Sequence, residues 1–240
     1  MIVLMSAFLL LSAFSCGGGN KANSTSEQSE ETAVNVPQFD ADSAYLYVKN
    51  QVDFGPRVPN TKEHVACGNY LAGQLEAFGA QVTNQYADLI AYDGTLLKAR
   101  NIIGSYKPES KKRIALFAHW DTRPWADNDP DEKNHNTPIL GANDGASGVG
   151  ALLEIARLVN QQQPELGIDI ILLDAEDYGA PQFYTGQHKE EFWCLGSQYW
   201  ARNPHVQGYN ARFGILLDMV GGEGLSLIHI SEPTRRTPIS

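Results

Sequence analysis

Acids and one histidine gather at the ends of three apolar runs, and that pattern could do chemistry. RIALFAH ends at His119 with Asp121 two residues on, IDIILLDAE ends in Asp174, Glu176 and Asp177, and FGILLDMVG carries Asp218. A further carboxylate, Asp144, stands in GANDGASGVG ahead of a helical pattern, where the free N–H groups and dipole of a helix start can hold negative charge. Taken singly, each has an ordinary explanation. Asp144 reads as a helix N-cap, His119 as a satisfied histidine, and Asp174 as a structural acid belonging to its strand. Together, four or more carboxylates in one cleft repel one another unless something positive neutralises them, and a divalent metal is the economical choice. The neighbours Glu176 and Asp177 point in different directions at a strand exit, so one can bind metal while the other addresses a substrate. His64, His135, His188 and His205 lie in polar segments and are expected at the surface.

Only certain elements could bring these residues to one edge. The three continuously apolar runs suit strands covered on both faces, and a helix over roughly Gly145–Gln161 between the first two makes a βαβ unit. In open α/β sheets, ligands bind at the carboxyl ends of strands, which is where the acids stand. Upstream, Asp42 can cap a short helix running through Val52. Asn60 with Glu63 resembles a capping box, and Ala66, Tyr70, Leu71, Leu75 and Phe78 recur at helical spacing until Gly79. Strand patterns follow at Gln81–Tyr92 and Leu96–Tyr106, joined at Asp93-Gly94 as a hairpin. The fold class is α/β, a mixed β-sheet flanked by helices.

Composition agrees with one acidic globular domain. The 240 residues are 42% hydrophobic and 19% charged with a net charge of −10, which excludes a disordered acidic tail and a polytopic membrane protein. Residues 1–37 carry one base against three acids and residues 223–240 two of each, so eight of the ten excess negative charges lie on residues 38–222. Such a domain disfavours nucleic acid and favours a cation. MIVLMSAFLLLSAFS (residues 1–15) reads as an export signal, and residues 16–37 as a polar tether beginning at Cys16. The arrangement resembles a bacterial lipoprotein, with Cys16 lipidated and the protein exported and membrane-anchored, on the periplasmic or outer-membrane side. It departs from that pattern in lacking a Lys or Arg before the apolar run and in having Ala13 where leucine is usual. Cys67 and Cys194 sit outside any CxxC pattern, so thiolate zinc is not expected.

The motifs HWD, NDGASG, the ED of DAEDYG, and DMVGG resemble, in order and spacing, the zinc-dependent M28 peptidase superfamily over residues 38–222. Within it, HWDTRPWADNDPDEKN and the long insertion from Tyr178 to Leu195 are similar to the animal-type glutaminyl cyclases, particularly their bacterial relatives. The resemblance implies zinc as cofactor with Asp144 and Asp177 as ligands and Glu176 as general acid/base. Asp218 would receive the substrate's α-amine or, as in two-metal aminopeptidases, hold a second metal. His119, with Asp121, would stand behind the ligands or, as in two-metal aminopeptidases, hold a second metal. Trp193, with Phe183 and Tyr184, would line the substrate loop. Asp177 departs from the glutamate usual in the superfamily, but still offers a hard oxygen. The implied reaction is conversion of an N-terminal glutamine of peptides or proteins to pyroglutamate with release of ammonia. An M28 zinc aminopeptidase and an inactive metal-binding lipoprotein are the alternatives.

The last segment does not follow the family. GLSLIHISEPTRRTPIS resembles translated sequencing-adapter sequence, so residues 223–240 are expected to be non-native and the M28-like domain of residues 38–222 to be partial. The family's third zinc ligand is a histidine far downstream of the Asp218 motif. Here the later histidine is His229, inside that tail, and it is not assigned to metal. Made as written, the chain is expected to be inactive and poorly soluble.

Overall fold

The computed structural model describes residues 35–224. The export signal, Cys16, nearly all of the tether and the terminal stretch with His229 lie outside the described residues. The elements run α1 (Ala41–Asp53), α2 (Lys62–Ala77), β1 (Gln81–Ile90), β2 (Leu96–Tyr106), β3 (Arg113–His119), α3 (Ala146–Gln161), β4 (Gly167–Leu173), α4 (Leu195–Arg202) and β5 (Gly214–Leu216). Five strands make one mixed sheet in the order β1-β2-β4-β3-β5. β2 pairs antiparallel with β1 and β4, while β3 runs parallel to both β4 and β5.

The expected βαβ unit is β3-α3-β4. Every residue of β4 is buried, because the sheet is covered on both faces. Ile168, Ile170 and Leu172 face one cluster with Leu71, Leu75, Val149, Leu152 and Leu153 of α2 and α3. Ile171 and Leu173 face the other, against Phe117, Trp200 and Tyr209. Each fully buried side chain of this size contributes about 1.5–3 kcal/mol, so the central strands are the rigid base from which the acids project.

Several local expectations shift. α1 is capped by Asp40, whose side chain accepts from Asp42 and Ser43 N–H. α2 is capped by Thr61 rather than Asn60, because Asn60 takes φ +75° and bonds across to Leu96 O and Lys98 N. The buried stripe of α2 is His64, Cys67, Gly68, Leu71, Ala72 and Leu75, and Ala66 is exposed. The hairpin turn is a five-residue loop between Ile90 and Leu96, with Gly94 at φ +84°. β5, expected as a buried strand, is three residues long and partly exposed: within the described sheet it pairs on one side only.

Candidate active site and metal centre

The carboxyl ends of β3, β4 and β5 lie side by side, so the residues that follow them meet at one edge of the sheet. Gly145 makes that edge reachable for α3. It takes φ +86°, and a Cβ there would stand 2.8 Å from Asp121 O and 3.2 Å from His119 Cε1. With no side chain in the way, the start of α3 packs against the end of β3. Asp144 then meets His119, whose Nε2 lies 2.9 Å from Asp144 Oδ1 and 3.5 Å from Asp218 Oδ1. Asp144 is therefore no N-cap: Gly145 occupies that position without a side-chain cap.

Asp121 is wholly buried. Its Oδ1 and Oδ2 accept the backbone N–H groups of Glu176 and Asp177, each at 3.1 Å, and Oδ1 lies 3.4 Å from His119 Nδ1. One carboxylate thus fixes the peptide that carries both neighbouring acids and turns the imidazole so that Nε2 faces the cleft. Ala175 at φ +52° bends the chain before that peptide. Asp174, three residues before Asp177, points the other way into the protein. It is saturated by His64 Nε2 at 2.9 Å and by the N–H groups of Arg100 and Ala175. His64 is 3% exposed and stacked on Trp120 at 4.3 Å, so the expected surface position is corrected: burial on the α2 stripe places it under the site. His205 is partly buried against Trp200, while His135 is partly buried and His188 exposed.

The electrostatics reflect crowding. Burial first, then the neighbouring acids Asp121, Asp218 and Asp144, push Glu176 up to about 7 against the pull of His119. Burial first and Asp121 next push Asp177 up to about 8. Burial alone would lower His119, but the carboxylates of Asp121, Asp144 and Asp218 hold it well above the ordinary imidazole value. Asp144 is lowered, chiefly by the hydrogen bond from His119.

A metal ion fits this donor set. Ligand atoms of His119, Asp144 and Asp177 lie within 4.8 Å of one another, and Asp177 Oδ2 is buried with no hydrogen-bond partner. A buried, unpaired carboxylate oxygen is costly unless something positive faces it. One imidazole nitrogen and carboxylate oxygens are donors that zinc accepts. The resemblance grouped Asp144 with Asp177 and set His119 either behind them or at a second metal; the fold brings ligand atoms of all three within 4.8 Å of one another.

A cleft of about 330 Å³ opens beside the cluster, lined among others by Asp144, Asp177, Arg123, Gln182, His188 and Trp193. The insertion that forms its wall leaves and rejoins the structure at one place, since Cys194, Leu195 and Gly196 N–H bond Glu176, Ala175 and Asp174 O. Of the predicted loop aromatics, Trp193 lines this cleft, Tyr184 packs on Tyr92 at 4.8 Å, and Phe183 stacks on His135. Two residues that matter here escaped the sequence. His64 continues the α2 stripe one turn before Gly68 and could have been found that way. Arg123 lies two residues after the HWD motif but carries no local signal of its partners. Both cysteines are free, Cys67 buried and Cys194 partly so.

A mixed sheet with acids and histidine at the carboxyl ends of its parallel strands defines a metal-peptidase-like α/β protein. The chain belongs to peptidase family M28, whose model matches residues 101–239. It is similar to the solved glutaminyl cyclase of Bacteroides thetaiotaomicron bound to N-acetylhistamine, at 94% identity and TM-score 0.79, over 79% of this chain and 65% of that one. A structure named a leucine aminopeptidase precursor from the same organism matches equally, at 94% identity and TM-score 0.79, over 79% and 66% of the two chains. The glutaminyl-peptide cyclotransferase of Drosophila melanogaster is 24% identical over 189 residues, 73% of this chain and 48% of the relative. The chain thus spans just under two thirds of these solved proteins and about half of the curated relative.

Proposed function

We propose that this protein is a zinc-dependent glutaminyl-peptide cyclotransferase, converting N-terminal glutamine of peptides or proteins to pyroglutamate. The observation that carries the reading is the geometry beyond the end of β4: Glu176 stands next to Asp177, whose Oδ2 is buried with no hydrogen-bond partner in a cluster with His119 and Asp144 that could hold a metal. The 94% identity to a solved glutaminyl cyclase supports it. Asp144 and Asp177 would hold zinc, with His119 within reach of the same point. Zinc, when bound, would make the side-chain amide carbon of the substrate more electrophilic.

The remaining chemistry belongs to the chain. The α-amine nitrogen attacks the side-chain amide carbon, the new C–N bond closes a five-membered lactam, and the old C–N bond breaks to release ammonia. Glu176 takes the proton from the attacking amine and returns it to the departing nitrogen, a double role open to a carboxyl held beside the cleft. Asp218, 39% exposed at its side chain, would receive the substrate's neutral α-amine. Because nucleophile and electrophile share one residue, holding a single conformer supplies much of the acceleration. Asp121 and His119 keep the acids in place.

The test is to incubate the protein, with zinc supplied and with residues 223–240 replaced by the corresponding stretch of the 94% identical Bacteroides relative because the chain as written is expected to be inactive, with a glutamine-initiated peptide. Loss of ammonia from the intact peptide supports the cyclotransferase. Release of a free amino acid instead would assign the aminopeptidase chemistry, in which Glu176 serves water. From the apolar run of residues 1–15 ahead of Cys16 we separately propose a lipid on Cys16 and an exported, membrane-anchored protein; metabolic labelling with a fatty acid that is lost in Cys16→Ala would check it.

A further inference from the structure

Resting on the cyclotransferase reading, we propose that Arg123 is a positioning residue that fastens metal-facing Asp177 and the aromatic wall at Trp193 into one unit, so that metal affinity and substrate fit are set together. Arg123 touches no reacting atom. Its side chain is 11% exposed, between the loop after β3 and the turn after β4. A guanidinium has five N–H donors, and here each meets an acceptor. Nε donates to Asp127 Oδ1 at 2.7 Å, and Nη2 to Asp127 Oδ2 at 2.5 Å and Ala180 O at 3.4 Å. Nη1 donates to Asp177 O at 3.1 Å and Gly179 O at 3.4 Å. Three carbonyls of a single turn are thereby wrapped around one planar group.

The faces of that group are used as well. The guanidinium carbon lies 4.8 Å from the Trp193 ring centre and 5.6 Å from that of Trp125. A Cβ at Gly179 would overlap the Trp193 indole, so Trp193 is seated directly on the backbone that Arg123 holds. Asp127 closes the unit: it is 4% exposed, and its Oδ2 also accepts Gln182 N–H at 2.8 Å. Lysine, a point charge with three donors and no flat face, cannot reproduce this arrangement.

Arg123→Lys, Gly179→Ala and Asp127→Asn in the full chain test the proposal, with zinc affinity measured by competition with a chromophoric chelator and kcat and KM measured on a glutamine-initiated peptide. Loss of a residue that holds a metal ligand in place costs about 10- to 100-fold in affinity. Arg123→Lys should weaken zinc by that order and raise KM. Gly179→Ala, whose added Cβ meets the Trp193 indole directly while the bonds of Arg123 to Asp177 O and Asp127 remain, should raise KM by a larger factor than it weakens zinc. Asp127→Asn should move both quantities in the same direction by less. A folded Arg123→Lys protein with wild-type zinc affinity and KM would overturn the proposal, and so would failure of both Arg123→Lys and Asp127→Asn to fold, which would assign the guanidinium to stability alone. If the wild type binds zinc and turns over no glutamine peptide, the cyclotransferase reading falls while the zinc measurements still decide what Arg123 does to Asp177.

Discussion

Two acid centres sit at opposite ends of the same pair of parallel strands, and they are built on opposite principles. At the start of β4, Asp169 is wholly buried and saturated. It accepts from Arg113 Nε at 2.5 Å and Nη2 at 2.8 Å, from Ser105 Oγ at 2.7 Å and from Tyr209 Oη at 2.7 Å. Beyond the end of β4, Glu176 and Asp177 are partly buried, yet they lean on other acids, and Asp177 Oδ2 has no partner. Burial of a carboxylate is therefore no mark of function. What separates the ends is the balance of donors: the first closes on itself, whereas the second holds acceptors in excess, which on the proposed reading a cation and a substrate amine would complete.

The widest gap between the ends should open in metal binding. Asp144→Ala is expected to abolish stoichiometric zinc, measured by elemental analysis after dialysis, whereas Asp169→Ala leaves the zinc content at the wild-type level. Equal zinc in Asp144→Ala and wild type would remove the site from the acid cluster. Next comes turnover. Glu176→Gln keeps the shape and the metal but loses the proton shuttle, which costs about 10²- to 10⁴-fold in rate; a near-normal rate would move the acid/base role to Asp177 or Asp121.

Stability should respond in reverse. Asp169→Ala leaves the Arg113 guanidinium unpaired among buried groups, a loss of about 3–5 kcal/mol to be read from denaturant unfolding. A mild effect there would mean that water replaces the carboxylate and that the two ends are less different than their hydrogen bonds indicate. The smallest effect concerns His205 beside Asp169. Burial, its largest influence, lowers its proton affinity, so below the ordinary value of 6.5 the unfolded chain binds more protons than the folded one. Stability should therefore fall as pH drops through 6.5 toward the lower folded value. His205→Gln should flatten that part of the curve, and an unchanged slope would clear His205 of the effect.

The sheet was legible because its signals are local. Uninterrupted apolar runs of RIALFAH and IDIILLD can be satisfied only by strands covered on both sides, and both formed with their acids at the exit. FGILLDMVG read the same way but made a short, half-exposed strand that pairs on one side among the described residues, and composition does not say how many neighbours a strand has. The capping residue of α2 moved by one, because Asn60 found partners in β2 that no window around residue 60 contains.

By itself, the sequence determined the α/β class, the order of the strands' acid ends, and the list of carboxylates from which a metal site could be drawn. Periodicity and strand polarity are sufficient for that, as they depend on neighbours a few residues apart. The tertiary structure decided which acids are spent and which remain free. His64 reaches Asp174 across 110 positions, Arg123 reaches the Asp177–Ala180 turn across more than 50, and Asp121 grips the peptide between Glu176 and Asp177. Such pairings follow from parallel strands bringing their ends into register through a covered sheet. An acid's charge and hydrogen-bond saturation depend on who arrives there, which no local pattern encodes.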